Sequence, residues 1–421
     1  MSLVKTSFLS LIATSVKVLS LLVINKVVAV TIGPSGIALI GQFQNFSQVA
    51  MTASQGGLNQ GVIKYTAEFS DDQGKLSALF STAFKTALVC SLIVGVFCIF
   101  ASSYLSQYFL KSNDYQYVFV LFGMLLPLFV INQLLLSILN GLKALRLFIS
   151  NNIIQSLYSL VVTSLLVWFF GLHGAFIALV TNQSIVLLIL VWRLRHFAMI
   201  RLKMFLSGYS SEQLRKLGSF TLMALTSAIM VPVSHLIIRN HIVDTLGWDA
   251  AGHWQALWYI SSMYLMVITT ALGIYYLPRL SELHSKNEIK KELLGGYKII
   301  MPVVIVLALA LYLMRDLVII ILFSQGFRAM RDLFFWQLCG DVIKIASWLL
   351  AYLMLAKAMV KLFIVTEVVF GVAFVLLSLA LSERYGLEGV ALAHFINYVV
   401  YGLMMLVLIR PWFRKKETTS L

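Results

Sequence analysis

The chain has 421 residues, of which 60% are apolar and only 12% charged, against about 25% charged in an ordinary soluble domain. Its mean hydropathy is +0.91, and its apolar residues suffice for about twelve membrane spans of about 20 residues each, which excludes a water-soluble enzyme. A net charge of +15 would suggest nucleic acid on a soluble protein; here it poses the question of which membrane face carries it.

In chain order, apolar segments predict spans near 8–30, 37–60, 79–101, 117–139, 149–170 and 175–192. A second set falls near 218–240, 253–276, 299–321, 333–355, 362–381 and 390–410. The first run contains Lys17 and has no small-residue cleavage site, so it reads as a retained span rather than a signal peptide. Arg315 and Asp316 interrupt the ninth span, and 315–332 is an alternative interfacial segment. The fold class expected is an all-α integral membrane protein of twelve transmembrane helices, divided as 1–192, a linker at 193–217, 218–410 and a tail at 411–421. Twelve spans return the chain to its starting side. Connections on that side carry 23 cations against 7 near the other, which makes it cytoplasmic, with both termini inside.

Several chemistries are absent. The three cysteines, Cys90, Cys98 and Cys339, lie in apolar stretches without a CxxC pair, so neither a disulfide framework nor a zinc site is expected. Gly74-Lys75 is followed by leucine, which breaks the phosphate-binding loop pattern. No cofactor, metal or catalytic residue is expected, and no nucleic acid. Asp71-Asp72 reads as a solvated loop pair.

The two halves resemble each other. Gly171-Leu172-His173-Gly174-Ala175 is matched by Gly386-Leu387-Glu388-Gly389-Val390, and Ala178 and Asn182 by Ala393 and Asn397. Lys143-Ala144 matches Lys357-Ala358, Glu68 matches Glu282, Lys26 matches Arg239 and Gln42 matches Gln255. An ordered series at nearly constant offset marks a duplicated six-span unit. Two such copies share one topology and are expected to be related by a pseudo-twofold axis along the membrane normal, with a substrate site at the midplane between them. The joint, 193–217, mixes cations with Phe197, Met199, Ile200 and Phe205 and reads as an interfacial, lipid-anchored segment.

Ionisable residues inside spans are functional candidates, because an uncompensated one costs roughly 2.5–3.5 kcal/mol. Lys17, Asp341, Lys344 and Glu367 qualify. Asp341 and Lys344 are spaced to pair along one helix, which leaves Lys17 and Glu367 to pair between the halves; Asp341 and Glu367 are also the places to look for ion coupling. Lys26 and Arg239, with His235 one turn earlier, either snorkel to the outer interface or face a cavity and receive an anionic group. Lys17 and Lys26 lie on opposite faces of a straight helix, so only one can line a given wall.

Uncharged polar stripes accompany these charges. Gln42, Asn45, Gln48, Thr52 and Gln55 run along the second span, and Asn152, Gln155, Ser159 and Thr163 along the fifth. In a bilayer such stripes mean either a wet cavity or hydrogen bonds between helices. With Trp254, Trp258 and Tyr259 beside Gln255 they suit a sugar, although packing or an interface belt explains the aromatics as well. The substrate-binding set is therefore Lys17, Lys26, Arg239, Lys344, Gln42, Asn45, Asn152, Trp254 and Gln255.

Phe220-Thr221-Leu222-Met223-Ala224-Leu225, Trp254-Gln255-Ala256 and Tyr276-Leu277-Pro278-Arg279-Leu280-Ser281 occur in order. Met330-Arg331-Asp332-Leu333-Phe334, Trp336-Gln337-Leu338, Gly340-Asp341-Val342 and Ala356-Lys357-Ala358 follow. Together these resemble the Wzx-type flippases of the polysaccharide transport family, within the larger group that also holds multidrug-extruding and lipid II-flipping transporters. The likeness is greatest to the enterobacterial flippases for O-antigen and enterobacterial common antigen units. It implies two six-helix bundles around a cationic cavity. It also implies an undecaprenyl-pyrophosphate-linked oligosaccharide moved from the cytoplasmic to the periplasmic leaflet of the bacterial inner membrane by alternating access. Expected partners are that lipid-linked oligosaccharide, the bilayer, and a downstream glycan polymerase or chain-length regulator. The competing readings are a cation-coupled drug or solute antiporter of the same fold and a membrane-bound glycan enzyme; the short outer connections argue against the enzyme.

Overall fold

A computed structural model describes residues 3–195, 200, 202–283, 285–357 and 359–414. The described residues contain helices and no strand. They form two compact units, Met1–Leu236 and Ile237–Leu421.

In the first unit α1 (Leu3–Thr31) turns at Gly33, φ 78°, into α2 (Gly33–Ser54), whose first turn accepts Pro34 because an N-terminal N–H has no helical partner to lose. α2 stops short of the expected end at 60. Gly56 and Gly57 take positive φ, and the chain restarts as α3 (Asn59–Glu68). Asp72 then caps α4 (Gln73–Phe100), accepting from the Gly74 and Lys75 amides at 3.1 and 3.0 Å. α5 (Ser102–Leu110) and a 3-10 turn (Asn113–Tyr115) lead into α6 (Gln116–Gly141). α4 and α6 touch at Gly95 and Gly123, where a Cβ on either would lie 2.5 Å from the other's carbonyl oxygen. Small residues of this kind let helices approach closely in lipid.

α7 (Leu145–Leu194) would be about 75 Å long if straight, more than twice the hydrocarbon thickness. It is a hairpin. Gly171 adopts φ 55°, ψ −131°, a conformation open essentially to glycine alone, and Asn182 reaches back to Ser159 and Thr163 at 3.0 and 3.2 Å. Within the second unit α15 (Val360–Arg414) folds identically. Gly386, the repeat partner of Gly171, adopts φ 58°, ψ −142°, and Phe370 packs on Tyr401 across the bend. The internal repeat seen in the sequence is thus a repeated backbone geometry.

The linker was expected to lie on lipid. Its residues 196–199 and 201, which include His196, Phe197 and Met199, fall outside the described residues. Part of the remainder packs on protein while Leu206 and Tyr209 stay exposed: in α8 (Leu202–Phe205) Met204 and Phe205 are buried, and Phe205 stacks on Phe80 of α4 at 5.9 Å. The Ser207 carbonyl accepts from Ser81 Oγ at 2.6 Å and Lys85 Nζ at 2.7 Å, and Thr82 Oγ1 accepts from the Ser210 amide. The reason is that Leu217, Met204 and Phe205 complete the apolar core around Leu76, Leu79 and Phe80. Phe205→Ala is therefore expected to destabilise the first unit by about 3–5 kcal/mol, read as a lower unfolding temperature of the purified protein. The partition of the chain accordingly falls within α9 (Ser211–Leu246), after the linker.

The second unit continues with α10 (Trp248–Ala271), a π-helical turn (Leu272–Tyr276), α11 (Leu277–Glu282) and α12 (Lys286–Leu313). The ninth expected span ends at Leu313: Met314 breaks the helix, and α13 (Arg315–Leu322) and a 3-10 segment (Gln325–Leu333) follow, joined by an Arg331–Asp316 ion pair of 3.2 Å. α14 (Phe334–Ala356) precedes α15.

Among the described residues seven helical segments are long and apolar enough to cross a membrane, the two hairpins each counting as one. Their outward faces are apolar, with Leu157, Val161, Leu165 and Trp168 exposed in one stripe of α7 and Ile299, Val303 and Val306 in one of α12. Water would reject such stripes; hydrocarbon accepts them.

Candidate functional site

α1, α3, α6 and both arms of α7 enclose a cavity of about 610 Å³ in the first unit, within the size range of small-molecule sites, about 300–1,000 Å³. Seven carboxamides line it, from Asn59, Gln60, Gln133, Asn140, Asn152, Gln155 and Gln183, together with the hydroxyls of Thr14, Ser20, Ser137, Ser156 and Ser159. Lys17 is the cation among these lining residues, and no Asp or Glu is among them. None of the ion pairs among the described residues involves Lys17.

Helix geometry explains the placement. Asn152, Gln155, Ser156 and Ser159 share one face of α7, and Gln133, Ser137 and Asn140 one face of α6, at the spacing of three and four that aligns side chains. Gln133 Nε2 donates to Gln183 Oε1 at 2.8 Å, which holds two amides at the wall. Lys26 is half-buried and absent from the lining, as the opposite-face argument requires. Gln42 is buried and Asn45 half-buried in α2; neither lines the cavity, and α2 instead supplies Phe43 and Phe46 to an aromatic cluster with Phe119 and Phe122.

In the second unit Arg239 is fully buried, which rules out snorkelling. Its guanidinium donates to Gln255 Oε1 and lies 5.5 Å from the Trp254 ring centre. Trp254 is itself fully buried and meets Trp258 edge-on at 6.2 Å. Asp341 is fully buried on α14. Its Oδ1 lies 3.0 Å from His394 Nε2 and 3.4 Å from Gln337 Nε2, and its Oδ2 accepts from Tyr264 Oη at 3.0 Å.

The intrahelical Asp341–Lys344 pair does not form within 4.0 Å. His394 and Tyr264 reach the carboxylate first, from α15 and α10, while the Lys344 ammonium is held by ring faces. Its Nζ lies 4.8 Å from Trp348, 5.1 Å from Trp258 and 5.5 Å from Tyr398, the arrangement by which aromatic quadrupoles hold a cation. Lys344 still interacts electrostatically with Asp341 and with Glu367, which is half-buried on α15.

Sequence reasoning missed His394, Tyr264 and the α3 and α6 amides. His394 was hidden by charge counting, which leaves histidine neutral; treating every ionisable residue inside an apolar run as a candidate would have found it. The amides of α3 and α6 lie on separate helices, and only the packing of α3, α6 and α7 around one cavity brings Asn59, Gln60, Gln133 and Asn140 together.

A family model described as "Polysaccharide biosynthesis protein" matches residues 2–284. The chain is 30% identical over 401 residues to the lipid III flippase of Escherichia coli (strain K12), covering 95% of this chain and 96% of that one, and equally to the lipid III flippase of Shigella flexneri. Among solved structures, an inward-facing multidrug resistance MATE transporter of the MOP superfamily superposes with a TM-score of 0.78 at 15% identity, covering 98% and 99% of the two chains. The lipid II flippase MurJ, in an inward closed conformation, does so with 0.70 at 11% identity, covering 97% and 87%. The fold is that of the MOP transporters, and by family match and full-length identity the chain belongs to the polysaccharide biosynthesis protein family.

Proposed function

We propose that the protein is a flippase that moves an undecaprenyl-pyrophosphate-linked oligosaccharide from the cytoplasmic to the periplasmic leaflet of the bacterial inner membrane by alternating access. It is a transporter and carries no enzyme chemistry of its own. The full-length relatives named for lipid III flipping support this reading, and one observation carries it to this chain's own residues. The cavity of the first unit offers one ammonium and many amides and hydroxyls, with no lining carboxylate. That donor set suits a ligand with an anionic group and many hydroxyls. Lys17 takes the anionic group by a charge-assisted hydrogen bond, the carboxamides of Asn152, Gln155 and Gln183 exchange hydrogen bonds with sugar hydroxyls, and the prenyl chain stays in lipid.

A drug antiporter of the same fold, the alternative reading, would have no use for a lone cation facing seven amides. The cation asymmetry between the two sets of connections supports a topology with both termini in the cytoplasm. The O-antigen or enterobacterial common antigen repeat unit is the expected cargo, with a glycan polymerase or chain-length regulator acting downstream. The test is expression of the chain in strains with defined flippase deletions. The glycan restored to the cell surface identifies the cargo, and lipid-linked units should cease to accumulate on the cytoplasmic face. Failure to restore any surface glycan, with the protein present in the membrane, overturns the proposal.

A further inference from the structure

The internal repeat supplies a control for the cavity of the first unit, because one backbone plan occurs twice with different side chains. Leu147-Phe148-Ile149 matches Leu362-Phe363-Ile364. The bends at Gly171 and Gly386, and then Asn182 and Asn397, keep that register. Residues of α7 therefore have fixed counterparts on α15. Residues of α6 have theirs on α14, through the matched Lys143-Ala144 and Lys357-Ala358.

The seven carboxamides of the lining fall into two groups. Three are engaged with protein: Gln133 donates to Gln183 at 2.8 Å, and Asn59 donates to Gln55 Oε1 at 2.6 Å. The side-chain amides of Gln60, Asn140, Asn152 and Gln155 line the cavity and form no hydrogen bond with protein among the described residues. Each offers two donors and an acceptor, and leaving such a group without a partner away from water is costly.

The second unit shows that the fold does not require the last three. The counterpart of Asn140 is Met354, that of Asn152 is Glu367 and that of Gln155 is Phe370. Met354 and Phe370 are buried, and Phe370 packs on Tyr401 with ring centres 4.8 Å apart. Glu367, the polar member, interacts with Lys344 instead. Ser159, farther along the same face of α7, has Phe374 as its counterpart, and Gln183 has Tyr398. Both of those rings meet His394, at 5.9 and 4.9 Å. Faces that bound a polar cavity in the first unit thus carry packed rings in the second. Helix formation and the hairpin bend do not explain the free amides, since the second copy achieves both without them. A ligand does.

We propose that Asn140, Asn152 and Gln155 are the specificity-determining residues for the glycan, and that this glycan site belongs to the first unit, its counterpart in the second having been filled with rings. The three amides read hydroxyl and carbonyl groups of the sugars, while Lys17 binds the pyrophosphate whatever the sugars are. A site built to hydrogen-bond a substrate hydroxyl strongly rejects a substrate that lacks it. The identity of the cargo rests on the flippase reading above; the division of labour between amides and cation is a matter of binding and does not need transport.

Equilibrium binding to the purified full chain tests this with three lipids: bare undecaprenyl pyrophosphate, and the same carrier bearing an O-antigen or an enterobacterial common antigen repeat unit. The wild type should bind one of the two glycan-bearing carriers about tenfold or more tighter than the bare one. Asn140→Met, Asn152→Leu and Gln155→Met should each lose about twofold to tenfold of the affinity for that carrier. They should leave binding of the bare carrier unchanged, so that the preference between the two glycans narrows. Lys17→Gln should instead weaken all three lipids by a common factor. The three amide variants should melt with the wild type, because the second unit folds with apolar residues at two of the equivalent positions.

Equal losses for bare and glycan-bearing carriers in the amide variants overturn the proposal, as does wild-type affinity in all three. A lowered melting temperature or failure to fold would show that the amides serve the fold, and overturns it too. So does a wild type that binds neither glycan-bearing carrier more tightly than the bare one. If the wild type binds selectively but moves no carrier across proteoliposome membranes, the flippase reading fails while the glycan site stands.

Discussion

Lys17→Gln is expected to reduce flipping more than any other single change in the lining of the first unit. Lysine at this position faces a cavity of amides and hydroxyls with no carboxylate among the lining residues, so its charge is available to a ligand. A hydrogen bond to a charged group contributes about 1.5–3 kcal/mol, and glutamine, one atom shorter, stays polar while removing the charge. The apparent affinity for the lipid-linked oligosaccharide should fall about tenfold to a hundredfold. Lys17→Arg should retain most of it, and Lys26→Gln should cost less, since Lys26 does not line the cavity. Uptake by proteoliposomes at several substrate concentrations, with surface glycan scored in parallel, measures this. A Lys17→Gln protein with wild-type affinity would move the anion site elsewhere.

The second large effect concerns the two hairpins, and it appears in stability. At Gly174 a Cβ would stand 1.8 Å from the Leu166 carbonyl oxygen, and at Gly389 it would stand 2.1 Å from that of Leu381. Those positions are repeat equivalents, and in both cases the obstacle is backbone, which cannot rotate aside. Gly174→Ala and Gly389→Ala should each open a hairpin at its bend and cost about 1–3 kcal/mol or more. In α7 the opening would carry Asn182 away from Ser159 and Thr163, with Gln183 and Gln133 beside them, so flipping should fall as well. Thermal unfolding of the purified variants reads the first effect. Equal melting of wild type and both variants would mean that the second glycine of the motif is dispensable. Phe205→Ala provides a comparison, because it weakens the linker's attachment without touching either bend.

The fold was legible in the sequence to an unusual degree because lipid imposes its own rule. Backbone polar groups must be satisfied within each segment, so a run of about 20 apolar residues is a helix whatever its neighbours. The expected spans fall on helical segments except where local chemistry overrides hydropathy: α2 ends at Ser54 before Gly56-Gly57, and the ninth segment is broken at Met314 ahead of Arg315 and Asp316. The matched Gly171-Leu172-His173-Gly174 and Gly386-Leu387-Glu388-Gly389 could be read in advance because each first glycine is demanded by its own φ and each second by a carbonyl eight residues earlier in the chain. Within the linker Met204 and Phe205 pack beside Phe80 while Leu206 and Tyr209 stay exposed, a division that its mix of cations and aromatics does not encode.

The site divides along the same line. Composition, span pattern, repeat and the identity of the intramembrane charges are properties of the chain alone, because each follows from hydropathy or from spacing along one helix. Which charges meet is not. Spacing along α14 suggests Lys344 for Asp341, but His394 arrives from α15 and Tyr264 from α10, and the lysine is left to three aromatic rings. Likewise the choice of Lys17 over Lys26 rests on which face of α1 turns toward α6 and α7. Contacts between helices distant in the sequence depend on how those helices rotate and pack, and no periodicity within a single helix encodes that.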